Sequence, residues 1–154
     1  MLNRQRKEPL VGVVVVTHEG SSEAMIGAAR GIVGPLPSLM AVGVGCKDNF
    51  DRVVERVSAA CQKVDGGAGF LILVDVHGSS PFQACMSMLD GTRPAEILCG
   101  VNLPMLIKLG TVDRRELRPA ELAEVLRDVG RRSIRLGSEL TGKVALDGTR
   151  EGPR

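Results

Sequence analysis

A chain of 154 residues with a formal net charge of +2 is long enough for one domain with one core, and too evenly charged to present the basic face of a nucleic-acid binder. Hydrophobic residues make up 44% and charged residues 25%, an ordinary balance for a globular protein, while aromatics are 2% with no Trp or Tyr. That scarcity removes the stacking platforms of RNA- and carbohydrate-binding modules, and leaves Val, Leu, Ile, Ala and Met to build the core.

The N-terminal MLNRQRKEPL is basic and lacks an apolar h-region, so no signal peptide is expected and the chain is assigned to the cytoplasm. No stretch approaches the roughly 20 apolar residues of a membrane span. Residues 1–9 read as a basic tail, 10–140 as the domain and 141–154 as a flexible polar tail.

LVGVVVVT, residues 10–17, is continuously apolar and β-branched, the pattern of a strand buried on both faces. Residues 21–33 read as a helix with Ser21 or Ser22 near its cap, ended by GPLP. LMAVGVG, 39–45, is a second strand. The next segment has apolar residues at 50, 53, 54, 57, 60, 61 and 64, which is helical spacing. FLILVDV, 70–76, is a third strand, and residues from Pro81 to about Leu89 form a third helix. AEILCGV, 95–101, is a fourth strand. NLPMLIKLG is a short helical stretch in which Asn102 holds the turn, and 119–132 is a last helix. SIRLGSEL, from 133, reads as a short β-like piece.

Strands alternating with helices predict a parallel α/β sheet covered on both faces, with function gathered at the carboxyl ends of the strands. The chain's two histidines, His18 and His77, both follow apolar runs at such ends. They share a crevice only if their strands are neighbours, which the sequence does not say.

LVDVHGSSPF, residues 73–82, carries the chemistry. Ser80-Pro81 reads as a helix start, with Ser80 as N-cap and Pro81 at the first helical position. The N–H groups of that first turn and of Gly78-Ser79 are an anion cradle, and a second helix starts just after His18. This suits a phosphoryl group carried on the histidine. Such a histidine must attack as a neutral ring, and an acceptor on its other nitrogen selects the tautomer. Asp75 is that acceptor, and it also stabilises positive charge developing on the ring.

VVVVTHEG, LVDVHGSSPFQA and CGVNLPML together resemble the enzyme IIA domain of the mannose family in the bacterial phosphoenolpyruvate-dependent sugar phosphotransferase system. That family shows T-H-G, D-x-x-G-G-S-P-F-N-A and G-V-N-L/I-P-M-L in this order. The likeness covers roughly residues 10–140. It implies a parallel-sheet α/β sandwich and a homodimer in which a late β-segment is exchanged between subunits. It implies His18 as the catalytic residue phosphorylated at Nε2, Asp75 as its hydrogen-bonding partner, and Gly78, Ser79 and Ser80 around the phosphate. It further implies the histidine phosphocarrier protein as donor, a IIB component as acceptor, no cofactor, and membrane contact only through a permease complex. Three departures stand out: Glu19 replaces the glycine after the histidine, His77 replaces a residue that is often aromatic, and Ser79 replaces the glycine before Ser80. Thr17, Glu19 and His77 are therefore read as modulators of the site. A protonated His77 beside His18 would attract the phosphoryl group.

Other readings compete. His18, Asp75, His77 and Cys46 are a conceivable metal set for a hydrolase, though no H-x-x-x-H or H-x-E spacing supports one. A regulatory module that reports phosphorylation state without a dedicated permease is the second. Cys46, Cys61, Cys85 and Cys99 form no C-x-x-C pair and read as buried free thiols. Arginines 114, 115, 118, 131, 132 and 135 read as solvated faces.

Overall fold

The computed structural model describes residues 8–141. Both tails proposed from sequence therefore lie largely outside the described residues. Four strands, β1 (Gly12–His18), β2 (Leu39–Val44), β3 (Phe70–Val74) and β4 (Ala95–Cys99), form one all-parallel sheet in the order β2-β1-β3-β4. Among the described residues, six helices connect and follow them: α1 (Ser21–Val33), α2 (Phe50–Val64), α3 (Ser80–Met86), α4 (Leu103–Lys108), α5 (Pro119–Arg132) and α6 (Gly137–Thr141).

The continuous apolar runs are explained by burial on both faces. In β1, Val13 and Val15 join the core under α1, α4 and α5, whereas Val14 and Val16 join the core under α2 and α3. β3 divides the same way, with Leu71 and Leu73 on one face and Phe70, Ile72 and Val74 on the other. Pro119 opens α5, and α2 begins after Asn49, whose Oδ1 accepts from the Asp51 N–H at 2.9 Å. Asn102 does hold its turn, its side chain accepting from the Met105 N–H at 3.3 Å to cap α4.

Two sequence expectations need correction. Arg114 is not part of a solvated face: it is 4% exposed. Its guanidinium donates to the carbonyls of Val11 (2.9 Å), Pro37 (2.5 Å) and Ser38 (3.5 Å), tying the entrances of β1 and β2 together. Burial, reinforced by the neighbouring Arg115 charge, pulls its pKa down to about 10. The second concerns SIRLGSEL. Residues 134–136 carry no strand and Gly137–Thr141 form a short helix, so within this chain the segment adds nothing to the sheet.

The strand order has one consequence for function. From β1 the chain moves to β2 on one side, and β3 then lies on the other side of β1. The carboxyl ends of β1 and β3 therefore flank the point where the winding reverses, which is where open α/β sheets leave a crevice.

Candidate functional site

His18 is the last residue of β1, and Asp75 is the first residue beyond β3. The register pairs Val16 with Val74, so the two side chains emerge from adjacent strands. Asp75 Oδ2 accepts from the His18 backbone N–H at 2.8 Å and lies 2.8 Å from His18 Nδ1. Asp75 Oδ1 accepts from the Val76 N–H at 2.8 Å. Partial burial pushes the Asp75 carboxyl up, but the hydrogen bonds from the His18 backbone, the His18 ring and Val76 together hold it below its ordinary range. An ionised carboxylate only accepts, so the ring proton sits on Nδ1 and the neutral ring keeps its lone pair on Nε2. The His18 side chain is 50% exposed and that of Asp75 22%, which leaves the ring open and its partner covered.

The turn after His18 is held from several sides. Ser21 Oγ lies 2.8 Å from both the buried Thr17 hydroxyl and the His18 carbonyl. Glu19 has φ +47°, in the left-handed region that side chains seldom adopt. Its N–H donates to the Val44 carbonyl at 2.9 Å, and its Oε1 accepts from the Cys46 N–H at 3.4 Å. Gly43 stands beside it because a Cβ there would collide with the Glu19 carbonyl.

A crevice of about 320 Å³ opens beside His18, lined by Val44, Gly45, Cys46, Asp48, Phe50, Val53, Ser80 and Pro81. Asp48 Oδ2 accepts from the Gly45 N–H at 3.0 Å and from Arg56 Nη1 at 2.9 Å, which folds the loop between β2 and α2. Arg56 also donates to the Gly43 carbonyl.

The structure brings His18, Asp75 and Ser80 to one end of the sheet, but it shifts the helix cap. Ser79, not Ser80, is the N-cap of α3: its Oγ accepts from the Phe82 N–H at 3.3 Å and donates to the Val76 carbonyl at 2.7 Å. Ser80 is thereby the first helical residue, and its exposed side chain lines the crevice. Gly78 has φ +76°, which makes the turn between Asp75 and that cap. His77 is not brought into the crevice. Its ring lies against Phe82, with centroids 4.9 Å apart and planes tilted by 56°. Among the described residues, no three His, Cys, Asp or Glu side chains are grouped to hold a metal ion.

The cysteines meet expectation only in part. Cys61 and Cys85 are buried, and burial pushes each thiol up to about 12, but Cys46 is exposed at the crevice wall. Sequence reasoning treated Ser21 only as a helix cap and missed the Asp48–Arg56 pair behind that wall. The Asp48-Asn49 dipeptide before an amphipathic run was the available signal.

A family model described as "PTS system fructose IIA component" matches residues 12–126, a span that includes β1 to β4 and the whole site. The chain belongs to the mannose/fructose family of phosphotransferase-system IIA components. It is 28% identical over 127 residues to the mannose-specific EIIAB component of Escherichia coli K12, covering 81% of this chain and 39% of that protein. The chain thus spans well under half the length of that relative. It is 26% identical to the fructose-specific EIIA component of Bacillus subtilis, covering 92% of this chain and 98% of that one. Two solved structures share the fold of this IIA chain. The mannose/sorbose specific IIA subunit from Enterococcus faecalis superposes with a TM-score of 0.69 at 24% identity, over 82% of this chain and 94% of that one. The EIIA component from Streptococcus agalactiae gives 0.75 at 16% identity, over 84% and 99%. Among the described residues of this IIA chain, no helix is long and apolar enough to cross a membrane.

Proposed function

We propose that the chain is a phosphoryl carrier that accepts a phosphoryl group on His18 Nε2 from the histidine phosphocarrier protein and passes it to a IIB component for sugar uptake. The observation that carries this reading is the bond from His18 Nδ1 to Asp75, which leaves Nε2 unprotonated on a half-exposed ring. The donor's N–P bond breaks as the Nε2–P bond forms, and the donor ring leaves with the electron pair. His18 keeps its Nδ1 proton throughout, so its ring becomes cationic and the Asp75 carboxylate stabilises that charge. Ser80 Oγ and backbone N–H groups at the starts of α1 and α3 meet the phosphoryl oxygens, since such transfer demands mainly positioning and charge stabilisation. The exposed Nε2 lets two protein partners reach the same atom in turn.

The test is incubation with labelled phosphoenolpyruvate, enzyme I and the phosphocarrier protein, followed by mapping of the label. Acid-labile phosphate is expected on His18 and absent from His18→Ala. Label persisting in that variant, on His77 for instance, would overturn the assignment.

A further inference from the structure

Glu19 is a conformational anomaly beside the site. Its φ of +47° suits glycine better than a residue with a Cβ, and it sits directly after His18. Its side chain crosses from the end of β1 to the loop after β2, where Oε1 accepts the Cys46 N–H at 3.4 Å. Cys46 and Asp48 line the crevice beside His18. The far side of the same loop is pinned by Asp48, which holds the Gly45 N–H and Arg56. The loop is thus fastened at one end to α2, and at the other to the residue following the nucleophile.

We infer that Glu19 is a positioning residue for phosphoryl transfer: its carboxylate, reached from a left-handed backbone, holds the loop at residues 45–48 in place as the fixed wall against which a donor phosphoprotein seats beside His18. A wall ordered before encounter removes an entropic penalty from association, so its effect falls on binding of the donor rather than on the transfer step. The inference rests on the phosphoryl-carrier reading above. It differs from a role for charge, because an amide oxygen at this position can still accept the Cys46 N–H, though more weakly than a carboxylate.

Three variants of the full chain separate these possibilities. Glu19→Ala breaks the tether, Glu19→Gln keeps it without the charge, and Glu19→Gly breaks it while relieving the backbone. Amide exchange at Cys46 is expected to quicken about fivefold in Glu19→Ala and Glu19→Gly, the equivalent of the ~1 kcal/mol of one hydrogen bond. The KM for the phosphorylated donor protein is expected to rise by a similar factor in both, with kcat little changed, and Glu19→Gln is expected to recover most of each loss. Glu19→Gly should melt at or above the wild-type temperature, which a purely structural role does not produce. Unchanged Cys46 exchange and unchanged KM in Glu19→Ala would overturn the inference, and so would a Glu19→Gln variant as impaired as Glu19→Ala. Failure of wild-type protein to take phosphate from any donor would remove the proposed function instead. The exchange measurement would then decide the tether alone.

Discussion

Asp75 Oδ2 holds His18 twice, through its backbone N–H and through its ring Nδ1, both at 2.8 Å. One carboxylate oxygen therefore sets the end of β1 and the tautomer of the ring that ends it. Replacing it should harm chemistry more than folding.

Asp75→Asn is expected to fold and to slow phosphorylation of His18. The amide can turn its NH2 towards Nδ1, which admits the wrong tautomer, and it supplies no charge to the cationic ring. Loss of a triad aspartate costs up to about 10⁴-fold, and a smaller loss is expected here because no proton passes between the residues. Rapid-quench transfer rates at the wild-type value in a folded variant would show Asp75 to be incidental.

Asp75 also predicts an acid limit. Its carboxyl titrates lower in the folded chain than in the unfolded one, where the reference is about 3.9. A group of this kind stabilises the fold fully above the unfolded pKa and loses that contribution as pH falls through the folded one. The stability difference between wild type and Asp75→Asn should be constant above about pH 5 and shrink below about pH 4. Denaturant unfolding across that range measures it, and a difference that grows on acidification would contradict the assignment.

Arg114 is a buried cation. Its donors reach three carbonyls at the entrances of β1 and β2. Arg114→Met strands those acceptors, and a loss of about 2–4 kcal/mol is expected. The site lies at the opposite end of the strands, so a folded Arg114→Met protein should phosphorylate normally at low temperature. A change in unfolding free energy of under about 0.5 kcal/mol would mean that water replaces the guanidinium.

Association into a homodimer is the remaining prediction. Ile134, Leu136 and Leu140 are exposed, Ile134 at 78%, and among the described residues β4 is an edge strand paired only with β3. A bare edge and a nearby apolar segment are features that exchange between two copies would cover. Sedimentation of the full chain should give a dimer, and deletion of residues 134–154 should shift it towards monomer and lower its melting temperature. A monomeric full-length chain at micromolar concentration would refute this.

Much of this was legible in one dimension. Continuous β-branched runs can be satisfied only by burial on both faces, so the four parallel strands, the helices between them and the bounds of α1, α2 and α5 follow from pattern. T-H, D-x-x-G and N-L-P-M-L identified the family and picked out His18 and Asp75. Local chemistry is less decisive where two neighbours compete. Ser79 and Ser80 are both good caps, and only the path of the turn at Gly78 gave the cap to Ser79. His77 matched His18 in sequence position, yet packing turned its ring onto Phe82. Arg114 read as a surface charge until strand entrances 103 and 76 residues away in sequence supplied its carbonyls. The pairing of β1 with β3 belongs to the same class. It joins His18 to a residue 57 positions distant, and no local propensity encodes which strands become neighbours. That choice is made by the helices packing on both faces of the sheet, and with it the site is assembled.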